Sequence, residues 1–199
     1  TGWRFEEAAV EYQLVLRMAP AYVPAHINLA SCYSPLGRSA EAVHHYERAF
    51  ELDPARLNAP NINHEYGFVL VENGEVAKAR RVFEGALGTA ARPSALRSLA
   101  LLDMYEGKFV AAATRLDEAL VLNVAAKSAL NEARNRLFRA MALEAGGRRA
   151  EARRELGLAA RVAQAAKAGP WVFSRIGVAM ARASMVAEAT SLLGRARPA

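Results

Sequence analysis

AYVPAHINLASCYSPLGRSAEAVHHYERAFELDP, residues 21–54, decides the fold. Ala25, Leu29, Ala30, Tyr33 and Leu36 recur at three and four residues, the spacing of one face of a helix. Ala42, Val43, Tyr46, Ala49 and Phe50 make a second such face, on a helix predicted from about Ser39 to Leu52. Ser39 is placed as its N-cap, Glu41 falls in its first turn and Asp53-Pro54 stops it. Gly37 supplies the turn between the two helices. Ala30 and Ala42 are small where larger residues would also fit the pattern, which lets two antiparallel helices approach closely with Tyr33 and Tyr46 beside them. One such hairpin buries a single face, so it needs stacked neighbours.

The rest of the chain repeats this arrangement. Pro20 precedes Pro54 by 34 residues, and Ala8 and Tyr12 take the places of Ala42 and Tyr46, with Gly2 and Trp3 expected in a turn. Tyr66-Gly67, Leu70, Gly74, Ala79 and Phe83 form a third unit, with extra linker residues around Leu57-Asn58-Ala59. Leu99-Ala100, Gly107, Ala112 and Leu116 form a fourth, without its closing proline, since Asn123-Val124 stands there. A fifth holds Ala140, Leu143, Gly147, Ala152 and Leu156, but Arg136 and Arg139 occupy places that are usually apolar, so its register is open by one residue. Its second helix is expected from about Arg148 to Lys167, ended by Gly169-Pro170, and a sixth unit has Ile176-Gly177, Met180, Ala189 and Leu193. The matched alanines are spaced 37, 33, 40 and 37 residues apart from Ala42 to Ala189.

Leu-Ala-x-x-Tyr at 29–33, Gly37, Ala-x-x-x-Tyr at 42–46 and Pro54 resemble the signature of the tetratricopeptide repeat (TPR) family, which has this order at a period of 34 residues. The resemblance implies an all-α, right-handed α-solenoid with a concave groove lined by the first helix of each pair. It divides residues 1–199 into one array: a half repeat 1–20 and repeats 21–56, 57–91, 92–124, 125–168 and 169–199. The alanine- and arginine-rich style of residues 101–109 also resembles TPR regions carried behind some bacterial serine/threonine kinase or cyclase domains, though these residues hold no kinase motif.

Composition agrees with a helical array. The chain has 199 residues, 53% of them apolar, a net charge of +6 and a pI of about 9.8. Its basic residues are spread along the chain, so nucleic acid is a disfavoured partner. The single cysteine, Cys32, excludes an internal disulfide and is read as a packed residue. No stretch approaches 18 uninterrupted apolar residues, the minimum for a membrane-spanning helix. The chain starts within a repeat and is read as a piece of a larger protein from which targeting signals could be missing; a cytoplasmic location is expected.

No phosphate loop, dinucleotide fingerprint, His-Glu-x-x-His or Cys-x-x-Cys occurs, and Gly146-Gly147-Arg148-Arg149 follows no strand. His44 and His45 are adjacent and diverge by about 100° on a helix, so they do not readily share a metal. No enzyme activity, cofactor or metal is expected. The candidate site is the groove. The resemblance places Asn28, His64, Phe68, Arg97 and Tyr105 on it, followed by Arg134, Phe138, Trp171, Arg175 and Arg182. Asn28 matches one asparagine of the clamp with which some TPR proteins hold a terminal carboxylate, but Ile27 and Glu65 depart from that clamp. The arginines favour an acidic peptide, and the aromatic residues supply the anchors that interfaces prefer. The leading reading is a non-catalytic scaffold that binds a peptide or protein. The alternatives are a regulatory or sensory arm of a larger bacterial kinase or cyclase, or a self-association module in which uncapped terminal repeats pair with a second copy.

Overall fold

The structure, a computed structural model, describes the backbone of residues 2–182 and the side chains of residues 4–170 and 172–180. Among them it is helical without strands. The helices are α1 (Gly2–Met18), α2 (Val23–Tyr33), α3 (Ser39–Leu52), α4 (Pro60–Glu72), α5 (Val76–Gly85), α6 (Arg92–Tyr105), α7 (Phe109–Ala125), α8 (Ala129–Ala145), α9 (Arg149–Ala165) and α10 (Pro170–Arg182). Each departure from the regular repeat has a local cause. The extra linker residues form a 3-10 turn at Pro54–Asn58, begun by Asp53, whose carboxylate accepts the Ala55 N–H at 3.2 Å. With no proline at 123–124, α7 runs on to Ala125. Gly2 lies in α1 rather than in a turn. Ser39 is the first residue of α3 rather than its cap; Arg38 precedes the helix, pairs with Glu41 and lies 4.1 Å over the Tyr33 ring.

The turns inside the hairpins share one device. Gly37, Gly74, Gly107 and Gly147 have φ between 72° and 83°, the left-handed region that residues with a Cβ avoid. In that conformation the next N–H folds back on the first helix: Arg38 donates to the Tyr33 carbonyl at 3.1 Å, Glu75 to Leu70, Lys108 to Asp103 and Arg148 to Leu143. Ala42, Ala79, Ala112 and Ala152 are fully enclosed. Ala189 and Leu193 lie outside the described residues.

The chain divides into two compact units, Thr1–Ala95 and Leu96–Ala199, with the division inside α6. In the first, Leu29, Ala30, Tyr46, Leu70, Ala79 and Phe83 are enclosed. Hydroxyl groups bind these hairpins together: Tyr46 donates to Glu65 at 2.9 Å, Tyr66 donates to Glu47 at 3.1 Å, and Lys78 pairs with the same Glu47. Burial raises the Tyr46 and Tyr66 hydroxyls, the latter to about 12, so both stay protonated donors. His26 donates from Nε2 to the Pro20 carbonyl at 3.0 Å, which leaves its Nδ1 to accept from His45 Nδ1–H, also at 3.0 Å. In the second unit one apolar cluster runs from Ala100 through Leu116, Leu143 and Leu156 to Ile176 and Met180. Arg136 and Arg139 keep the register of the other hairpins, since Ala140 and Ala152 are enclosed. The two arginines converge on Glu155 of α9, Arg136 also meeting Glu132 at 2.9 Å and Arg139 meeting Asp117 of α7 at 2.5 Å.

Two outcomes follow from this packing. A Cβ built on Gly67 would lie 2.1 Å from the Phe83 ring, so Gly67→Ala should cost about 1–3 kcal/mol by overpacking. Denaturant unfolding of that variant against the parent measures it, and an unchanged midpoint would refute the α4–α5 packing. Burial, with His26 and His44 beside it, lowers the His45 pKa from 6.5 to about 4. The unfolded chain therefore takes up a proton between those values that the folded chain refuses. Stability should be full above pH 6.5 and fall as the pH drops toward 4, and His45→Gln should remove that component from a Tm-against-pH profile.

Candidate functional site

Small residues inside each hairpin let the helices close on one another, and the faces turned away from that contact are left open. In the first unit, exposed Asn28 borders a cavity of about 540 Å³ between α1 and α2, together with Arg4, Phe5, Tyr12 and Ser31. His64 and Phe68 are one turn apart on α4 and half-buried; their rings meet edge to face at 4.7 Å, and Phe68 continues onto Phe83 at 5.8 Å. Phe68 is thereby tied into the α4–α5 packing. Glu65, exposed on the same helix, accepts from Ser31 and Tyr46.

In the second unit the structure separates the expected residues. Arg97 is buried, with 6% of its surface open. Burial first, and then the charge of Arg134, lower its pKa to about 10; both effects disfavour its guanidinium. Arg97 thus departs from the open groove position expected of it. Arg134 is half-buried, and neither it nor Arg175 is a free cation. Tyr105 is 77% exposed at the end of α6. Trp171 and Arg182 lie in α10, and their side chains fall outside the described residues.

What the unit does bring together is apolar. A cavity of about 590 Å³ lies between α8 and α10, with Met104 of α6 on its wall. Leu137, Phe138, Met141 and Glu144 line it from α8; Ser174, Arg175 and Val178 line it from α10. Met141 and Val178 keep 39% and 45% of their surface open. Of the expected groove residues, Phe138 and Arg175 are here. Met104, Glu144 and Val178 were not among them. Each continues the helical period of an expected residue: Met104 stands seven residues after Arg97, Glu144 six after Phe138 and Val178 three after Arg175, so extending the period along the face would have found them. Among the described residues no group of three metal-ligating side chains occurs.

Helix pairs joined by a left-handed glycine turn, each with an enclosed alanine at the contact, define an all-α helical-repeat protein. The tetratricopeptide repeat family model matches residues 23–56. Solved structures give the same fold over most of the chain. The crystal structure of MamA superimposes with a TM-score of 0.63 at 18% identity, over 82% of this chain and 91% of that one. That of PilF from Pseudomonas aeruginosa gives 0.65 at 16%, over 89% and 77%. That of YrrB, described as a TPR protein with an unusual peptide-binding site, gives 0.53 at 22%, over 93% and 90%. No curated protein sequence matches the chain. The sequence thus carries one matched tetratricopeptide repeat, and the described chain has the fold of tetratricopeptide repeat proteins, which are in general non-catalytic scaffolds for protein–protein interaction. Among the described residues no helix is long and apolar enough to cross a membrane.

Because burial and Arg134 both oppose the charge on Arg97, Arg97→Met should raise the Tm rather than lower it. Thermal unfolding followed by circular dichroism checks this. A lower Tm in the variant would reveal a counter-charge acting on the guanidinium.

Proposed function

We propose that the chain is a non-catalytic scaffold that holds a peptide or protein segment on the face formed by its first helices, with the α8–α10 cavity as the anchor site. The repeats bounded at 21–56, 57–91, 92–124, 125–168 and 169–199, after the half repeat 1–20, would act as one array. The observation that carries the reading is the cavity itself. Its volume of about 590 Å³ is that of a ligand site, and half-open Met141 and Val178 stand beside Phe138 and Met104 with a few polar groups at the edge. Unbranched methionines let such a surface adapt to an inserted side chain.

An acidic partner draws less support from this geometry than from the sequence. It rested on a row of open arginines, and Arg97 is buried while Arg134 and Arg175 are engaged. Self-association has one observation in its favour: α1 exposes Val10, Leu14 and Met18 at four-residue intervals along one face.

Dodecapeptides selected from a random display library on the folded chain, then titrated calorimetrically, test the anchor site. Met141→Glu combined with Phe138→Ser should weaken them at least about a hundredfold, since two truncated anchors of about 1.4 kcal/mol each multiply to that factor. Equal binding by parent and variant would place the site elsewhere.

A further inference from the structure

Among the described residues, the enclosed side-chain atoms that lack a hydrogen-bond partner all fall on α8, and one of them is Oε2 of Glu144, on the cavity wall. An enclosed carboxylate oxygen without a donor carries its full desolvation cost, so a folded protein that keeps one needs a reason for it. The other oxygen does not supply that reason. Oε1 lies 3.6 Å from Nε of Arg149, whose side chain is 78% exposed, and a contact of that length between solvated groups contributes little.

The position is unfavourable in a second way. Glu144 stands in the last turn of α8, where the carbonyl end of the helix repels negative charge. Packing does not require a carboxylate there either. Ser34, Val71 and Met104 occupy the same register, eight residues before the enclosed alanine of their hairpins. Arg175, on the opposite wall, is already engaged. The unmet electrostatic need of the cavity is therefore a donor for Glu144.

We propose that the cavity recognises a basic–apolar determinant: a large apolar side chain seated among Met104, Phe138, Met141 and Val178, beside an ammonium or guanidinium group that donates to the Glu144 carboxylate. The carboxylate charge is shared by its two oxygens, so a cation at the open one also relieves the enclosed one. Such charge-assisted hydrogen bonds strengthen where water is excluded by an apolar neighbour. A carboxylate on the ligand would meet like charge at this point, and a neutral amide would leave the charge on Glu144 unbalanced. The inference rests on the cavity being the anchor site, and the experiment separates the two.

Three probes differing in one group serve: N-acetyl-phenylalanyl-lysine amide and its glutamine and glutamate counterparts. The ε-methyl NMR signals of Met104 and Met141 report binding in the cavity. The lysine probe should bind about tenfold more tightly than the glutamine probe, the ratio that one charge-assisted hydrogen bond supplies, and the glutamate probe most weakly. Glu144→Gln should bring the lysine-to-glutamine ratio to near unity while the phenylalanyl group still shifts both methyl signals. Equal affinities for all three probes in the parent, or a lysine preference that survives Glu144→Gln, would overturn the inference and leave the anchor site standing. No shift of either methyl signal with any probe would overturn the anchor site, and the inference with it.

Discussion

The side chain of Ala42 ends at a methyl group, and the approach of α2 and α3 depends on that. The same holds at Ala79, Ala112 and Ala152, all fully enclosed. A larger residue at such a place would force the helices apart or push its neighbour off its rotamer, because protein interiors are packed at near-crystalline density and do not absorb volume. Where the facing side chain is bulkiest, even a methyl group is too much: Phe83 occupies the space that a Cβ on Gly67 would need. The left-handed glycines act on the same contact from outside. By turning the chain within three to five residues they start the second helix beside the end of the first, with the folded-back N–H closing the corner. Every surface the hairpins present, including the cavity between α8 and α10, is positioned by this pairing.

Most of the pairing was legible in the sequence because it is local. The helix faces, the turn glycines and the enclosed alanines all follow from spacings of a few residues, and α3 spans Ser39–Leu52 as its pattern requires. What was not legible depends on atoms that meet from separate helices. Arg136 and Arg139 looked like errors of register; they are half-buried arginines whose partners, Glu155 and Asp117, lie 16 to 22 residues away on the neighbouring helices. Arg97 has groove spacing yet is covered, and no local pattern distinguishes a covered arginine from an open one. The cavity was half legible. Phe138 and Arg175 were found, whereas Met104, Glu144 and Val178 sit one or two turns beyond Arg97, Phe138 and Arg175 on those helices.

The charge of the molecule illustrates the same limit. The net +6 is the excess of 26 basic over 20 acidic side chains, and several of those basic side chains are paired within the fold. Arg38, Arg48 and Arg148 each pair with a glutamate three residues on, and Arg56 pairs with Asp53. Such exposed pairs contribute little stability, about 0–1 kcal/mol each. Their consequence is electrostatic: each pair cancels locally, and the +6 that remains after pairing is spread along the chain rather than gathered at one site. The buried network around Glu155 is different in kind. Its side chains are 13–20% exposed on Arg136, Arg139 and Glu155, and it fixes α8 against α9 and α7.

That fixing gives α8 a particular character. The helix is held by ion pairs on one side, while along its length it retains polar atoms that no described protein group satisfies. Asn135 is fully enclosed, with neither amide atom hydrogen-bonded, at a register where the other hairpins place Ala25, Ile62, Ala95 and Val172. Glu144 has an enclosed oxygen without a donor at the helix end that least favours one. Each such group costs roughly 1–3 kcal/mol relative to an apolar residue of the same shape. Random drift would scatter defects of this size over the chain; among the described residues they gather on one helix, the one that contributes half of the cavity-lining residues. Stability given up in one place while the rest of the repeat obeys its packing rules is the pattern expected where binding, rather than folding, selects the residue.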